Sequence, residues 1–323
     1  MTALRPFLLA LFAILLHAGP ARATTWDEPW HREVVGQATS FGLYEVVKSA
    51  PDALVLKRVK HIAGTDPGAT VQVKSFYALR LGSLSGGHGP EFRLQQGSRA
   101  YFHLKQAGDA WAIATPTAGY AGVGSESKVY ATYRISVHQA LVDPPLYEDT
   151  QRCIFEVLHG AKGCDPKIAA FVRGELEKPV GGIVGGESAE SRAEFFRQHV
   201  ALETAAFTHQ AIPAETLERF LAKPDPHVQM SALRALAAGA RADKAERLMR
   251  FVEDEQATDP ARAMAAMLLK EIGAREMKQR LLDYAPRASE GEAGLGIALM
   301  DPRIGTRFPH SPKEAVTMAG EQL

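Results

Sequence analysis

The sequence predicts a multidomain chain of α and β structure, in which a small β-barrel is followed by an array of short helices. Three observations predict it. Up to about residue 145, short stretches of alternating apolar and polar residues recur between turn signals. From Leu146 onward, helix-start signals follow one another closely. Within this second half, a pattern repeats at a spacing of 34 residues. The expected parts are a leader at 1–23, a β-barrel domain at 24–145, a helical domain at 146–300, and a tail at 301–323 with one short helix.

The leader comes first. Arg5 supplies a positive end, and Phe7–Leu16 is an unbroken apolar run. Gly19-Pro20 breaks it, and Ala21-Arg22-Ala23 offers small residues on either side of a cleavage point. The run is shorter than the ~20 residues that span a bilayer. No cysteine lies near the cut to take a lipid. The expected mature chain therefore starts at Thr24 and is periplasmic or secreted, with no membrane insertion after cleavage.

Without Arg5 and Arg22, the chain carries 35 basic against 37 acidic residues. The β half carries 12 against 10. Neither balance creates a field that holds a polyanion, so no nucleic-acid partner is expected.

Seven strand-like stretches follow in order: Glu33–Thr39, Gly42–Val47, Ala53–His61, Thr70–Leu81, Arg99–Lys105, Ala110–Ala114 and Val129–Val137. In the last, Val129, Ala131, Tyr133, Ile135 and Val137 share one face at period two. Gly64–Gly68, Gly82–Pro90 and Gly108-Asp109 punctuate the series.

Several of these stretches carry a resemblance: Val34-Val-Gly-Gln-Ala38, Val55-Leu-Lys-Arg-Val59, Thr70-Val-Gln-Val73, and Phe92-Arg-Leu-Gln-Gln-Gly97 leading into Ala100-Tyr-Phe-His-Leu104. Their order resembles the netrin/TIMP-like OB-fold barrels of bacterial secreted proteins. The resemblance implies that the first stretch opens the barrel and that the last forms its central hairpin. The eukaryotic inhibitors of that group begin with a metal-reaching cysteine, whereas this half has none. Protease inhibition therefore does not carry over.

Helices are expected near 147–159, 166–178, 189–208, 213–222, 226–238, 241–254, 260–272, 274–284, 289–300 and 312–319. Asp165-Pro166, Asp225-Pro226 and Asp259-Pro260 each place a capping carboxylate before a proline in the first turn. Ser191–Glu194 and Ser311–Glu314 have capping-box spacing.

The repeat lies in the middle of these helices. Asp225–Gly239 aligns with Asp259–Gly273, matching Asp, Pro, Met230 with Met264, Ala232 with Ala266, and the final Gly. This resembles HEAT-like repeats, in which the first helix runs D-P-x-V-R-x-x-A-x-x-x-L. The small alanine lets two helices approach closely, and the glycine ends the helix in the left-handed conformation. Ser191–Lys223 reads as a degenerate third copy, and 147–178 as an atypical first pair. An irregular bundle with chance similarity is the other reading.

Chemistry-bearing motifs are few. Cys153 and Cys164 are the only cysteines, an even pair that oxidising surroundings would join. A two-cysteine metal site with His159 is the alternative, with too few ligands nearby. The glycine-rich Val180–Gly186 is followed by Glu187-Ser188 rather than the Lys-Ser/Thr that phosphate requires. The histidines show no His-Glu-x-x-His, and Gly82–Gly86 has Leu84 where a serine nucleophile would stand.

No cofactor and no catalytic residue is expected. The function that follows is a non-enzymatic scaffold that binds an envelope protein or peptide through the helical repeats. Candidate contacts are Arg247, Arg250 and Arg280 on the second helices, and Tyr120 in the glycine-hinged loop 115–124. The alternatives are an envelope hydrolase, or a small-ligand or carbohydrate-binding module that uses that loop. N-terminal sequencing of the protein from an envelope fraction should read from Thr24, whereas a retained Met1 in the membrane pellet would refute export with cleavage.

Overall fold

A computed structural model describes residues 26–50, 53–74, 94–115, 117–124, 126–135, 139–293, 304–305 and 307–323. The expected leader and cleavage point, the Gly82–Pro90 turn, the far end of the Thr70–Leu81 stretch, Val137 and residues 294–300 lie outside the described residues.

The barrel consists of β2 (Ser40–Ala50), β3 (Ala53–Gly64), β4 (Thr70–Val73), β5 (Arg99–Ala107) and β6 (Ala110–Ala112). Each strand pairs with the next in the order β2-β3-β4-β6-β5, and β5 returns to β2 through Ser40↔Leu104 to Glu45↔Arg99. The sheet is thereby closed. All these pairings are antiparallel except β4 with β6, which meet in parallel at Val73↔Trp111. This is an OB-like barrel. The strand β7 (Tyr120–Gly122) adds to β5, and β8 (Val129–Thr132) pairs with β9 (Gln139–Val142). Short β1 (Trp26–Asp27) runs parallel to β10 (Ile304–Gly305), near the other end of the chain.

Period two decides what the barrel walls do. On β5, Ala100, Phe102 and Leu104 point inward to meet Tyr44, Val46, Leu54, Leu56, Val71 and Val73. Between them, Tyr101 and His103 point outward and are buried as well. The outward layer, with Phe41 from β2, packs on the first long helix. Phe41 lies 6.1 Å from Tyr101, and Tyr101 lies 4.9 Å from Tyr147. One apolar cluster therefore runs from Phe41 and Tyr101 through Ile154 and Phe155 into Phe207, Leu233 and Leu269.

The segment read as a strand at Glu33–Thr39 is instead the helix α1 (His31–Gln37). Both valines that suggested a strand, Val34 and Val35, are buried on it, so packing overrides their weak helix propensity. The stretch expected to open the barrel thus lies outside it, and β2 takes that place.

The helical half comprises α2 (Pro144–Leu158), α3 (Pro166–Glu177), α4 (Ala189–Thr208), α5 (Ala214–Leu221), α6 (Pro226–Ala238), α7 (Lys244–Glu253), α8 (Asp259–Glu271), α9 (Lys278–Tyr284) and α10 (Pro312–Gln322). Helices α4, α6, α8 and α10 pack side by side in that order, while α3, α5, α7 and α9 each pack on the next helix in the chain. Residues 289–293, expected to be helical, are irregular.

Several expected start and stop signals act as read. Asp165 accepts from the Lys167 N–H, Asp225 from those of His227 and Val228, and Ser311 from that of Glu314. Others differ. Ser188, rather than Ser191, caps α4. Asp259 makes no cap; its carboxylate instead accepts from Ser289 Oγ at 2.9 Å. Gly273 has the expected positive φ of 68°, but Gly239 has φ −67°.

Cys153 and Cys164 form a disulfide with Cα atoms 5.2 Å apart, tying α2 to the loop that enters α3. Closing so short a loop stabilises by about 3 kcal/mol in the chain-entropy account. Ala232 and Ala266 are fully buried, as close helix approach requires. Ala232→Arg or Ala266→Arg should lower stability by roughly 3 kcal/mol or more, through overpacking and an unpaired buried charge. Urea titration followed by circular dichroism measures it, and a wild-type midpoint would place these alanines outside the helix packing.

Candidate functional site

Three polar assemblies and one groove stand out. The first assembly begins where β8 ends. Tyr133, Arg134 and Ile135 are buried in succession, so the chain is packed on both sides there. The Arg134 side chain leaves the barrel half and enters the helical row, where its Nε lies 3.2 Å from Glu203 Oε1 on α4. The other carboxylate oxygen of Glu203 lies 2.8 Å from Arg234 Nε on α6. Ser231 Oγ donates to Glu203 Oε1 at 2.9 Å and lies 3.0 Å from His199 Nδ1. Burial pulls Arg134 down to about 10 against the opposing pull of Glu203. Burial, and then the charge of Arg134, holds His199 far below its ordinary value.

A serine, a histidine and a glutamate in contact suggest a hydrolase, but the proton order does not. In a nucleophilic triad the serine gives its proton to the imidazole. Here Ser231 gives it to Glu203, while His199 Nδ1 lies between that hydroxyl and Arg134 Nη2 at 3.5 Å. Ser231 is fully buried, and the adjacent space lined by Phe195, His199 and Phe220 has no room for a water molecule. This is a charge-and-hydroxyl staple between helices.

The second assembly is the pair His31 and His103. His31 Nε2 donates to Gln151 Oε1 at 2.8 Å, and the His103 ring stacks 4.4 Å from Phe41. Together with Tyr120, Tyr147 and Thr132 they line a small space of about 10 Å³, the size of one water. Burial lowers His31 to about 4 against the opposing hydrogen bond to Gln151, and burial holds His103 well below its ordinary value.

The loop of Tyr120 allows two readings, a binding loop or a packed loop over the barrel mouth, and it is packed. The Tyr120 ring is buried 5.8 Å from Phe102, and the residues before it are fastened by Thr115 and Thr117, which both donate to buried Glu28.

The third assembly contains the outer arginines. Arg247 binds Asp243 at 2.7 Å and also reaches Glu218 on α5. Arg280 bridges Glu246 at 2.9 Å and Glu253. Arg250 lies 3.2 Å from the same Glu246 and keeps 65% of its side chain exposed. They form a surface ladder joining α5, α7 and α9.

The groove lies on the opposite side of the row, between α1 and helices α4, α6, α8 and α10. It has two lobes of about 320 Å³ each, which share Arg32, Arg234, Leu268 and Glu271. One lobe is lined by Trp30, Met264, Met267 and Met318, the other by His209 and Lys244. Arg234 forms the floor: its guanidinium lies 5.7 Å from the Trp30 ring and 5.6 Å from Phe207. Lys244 Nζ donates to Ala237 O and Gly239 O at the end of α6, at 3.0 and 3.1 Å, and His209 Nδ1 donates to Ala238 O at 3.0 Å.

No protein family matches this chain, and neither a curated protein nor a solved structure matches it.

Sequence reasoning missed the groove. Its one local signal is Arg234, a lone charge inside the apolar run Met230–Ala238, whose counterpart one repeat later is Leu268.

The buried imidazoles set a pH dependence. Burial and the Arg134 charge also lower His227. The unfolded chain takes up protons below about 6.5, which folded His31 refuses until about 4. The folded state therefore binds fewer protons across that window, and stability falls with pH from about 6.5 to about 4. The melting temperature should drop by roughly 5 °C or more over that span. Calorimetry at stepped pH measures this, and a flat or rising profile would show these imidazoles to be solvated.

Proposed function

We propose that this chain is an exported, periplasmic or secreted, non-enzymatic interaction protein that holds a protein or peptide partner of the cell envelope. In this reading, α3 to α10 are HEAT-like hairpins in a short solenoid, and the partner lies along their inner row. The observation that carries it is the open groove built from four helices packed side by side and α1, with basic side chains on both lobes and methionines on one. Successive helices presenting one continuous groove suit an extended partner.

The disulfide supports an oxidising compartment. Among the described residues, no helix is long and apolar enough to cross a membrane. The hydrolase alternative loses support from the closed surroundings of Ser231, and the loop-module alternative from the buried ring of Tyr120. The outer ladder is a second contact face, because Arg250 keeps most of its side chain in solvent.

A photo-crosslinking residue placed singly at Met267 and at Arg250, in protein expressed with its leader, tests the reading. A discrete adduct at Met267 is expected. An adduct at Arg250 alone would move the contact to the outer ladder. Adducts at neither position, together with turnover of a substrate by the purified protein, would overturn the proposal.

A further inference from the structure

We infer that the groove accepts an extended peptide segment in which a carboxylate side chain neighbours a leucine- or methionine-sized one. This rests on the groove being the partner site, and it names the chemistry of the partner. The cationic side of the argument begins with Arg32, which is exposed at the junction of the two lobes. Among the described residues its guanidinium meets only the Phe207 ring, 5.8 Å away. Lys270, also exposed on the groove edge, has no ion pair among the described residues.

The acidic residues in the lining do not cancel these charges. Glu33 lies 3.3 Å from Arg307, which leaves Glu271 as the carboxylate facing Arg32, Lys244 and Lys270. Arg234 adds orientation. Glu203 holds its Nε at 2.8 Å, and its guanidinium lies against the Trp30 and Phe207 rings, so a fixed planar cation of the kind that pairs with carboxylates lines both lobes. An anionic group seated here exchanges water for charge-assisted hydrogen bonds on a shelf that is already ordered.

The apolar side begins at Leu268, which both lobes share. Met264, Met267 and Met318 continue it, and unbranched thioethers adapt to side chains of varied shape. A fatty acid offers the same two chemistries. However, both lobes are open to solvent along one side, whereas a small ligand requires most of its surface to be covered. An extended chain that leaves its backbone edge in water fits an open groove.

The experiment uses the full mature chain and three fluorescein-labelled peptides of equal length, built on alternating Leu-Glu, Leu-Gln and Leu-Lys. Anisotropy should show the Glu peptide binding about tenfold or more tightly than the Gln peptide, with the Lys peptide weakest and the difference shrinking as salt rises. Arg32→Glu, an exposed position, should reverse the order at an unchanged melting temperature. Met267→Ser should weaken the Glu and Gln peptides alike. Arg173→Glu, on α3 away from the groove, should keep the wild-type order.

Equal affinity for the three peptides, or an order unaffected by Arg32→Glu, would overturn the inference. So would binding of dodecanoate, sensitive to Arg32, in a protein that binds none of the peptides. If the Met267 crosslink persists while the peptides show no charge preference, the groove remains the partner site and only its acidic selectivity falls. Loss of both removes the reading and the inference together.

Discussion

A guanidinium has been taken out of water where the barrel meets the helices, and much of the arrangement follows from how it is accommodated. Removing a charge of this size from solvent costs several kcal/mol even after relaxation, so its counterion must be fixed in place. Glu203 on α4 serves Arg134 with one oxygen and Arg234 with the other. The side chain that docks the barrel half is thus coupled, through one carboxylate, to the side chain that floors the groove. Shifting α4 relative to the barrel would leave a buried charge unpaired. The relative position of the two halves is therefore constrained by this ion pair as well as by apolar packing.

The apolar packing leads to the same single body. Tyr101 and His103 lie on the outside of a barrel wall and yet are buried, because α1 and α2 cover them. A barrel with one wall enclosed presents its remaining surfaces elsewhere, and this half contributes to the groove only through α1 and the Trp30 before it. The helical row supplies the rest. Its outer edge is fastened by exchangeable surface ion pairs, each worth little singly, while its inner edge is fixed by buried alanines and the Glu203 cluster.

Much of this plan was legible in the residues. Alternation along Ala100–Leu104 and the Asp-Pro helix starts report local physics, and both strand and helices form where those signals stand. The failures share a cause. Val34 and Val35 read as strand because their propensity is local, while the surfaces that bury them come from elsewhere in the chain. Arg134 alternates with Tyr133 and Ile135, so it reads as a solvent-facing position; only the helices 65 residues and more downstream turn that face into an interior. The groove draws on α1, three inner helices and Met318 on α10, and no window of sequence brings these together. The arginines of the outer helices were visible because they recur on a short period, and the same period delivers the carboxylates that engage them.

The pairing of β1 with β10 carries a kinetic consequence. Trp26 and Asp27 hydrogen-bond alongside Ile304 and Gly305, Glu28 N–H donates to Gly305 O at 3.0 Å, and Trp30 lies 6.2 Å from Phe308. A ribosome delivers the first of these strands long before the second. The earlier segment must wait, unpaired, for the later, and closing so long a loop is slow. The seam beside Trp30 therefore cannot close before Ile304 to Phe308 have been made, and until then the α1 wall of the groove lacks that support.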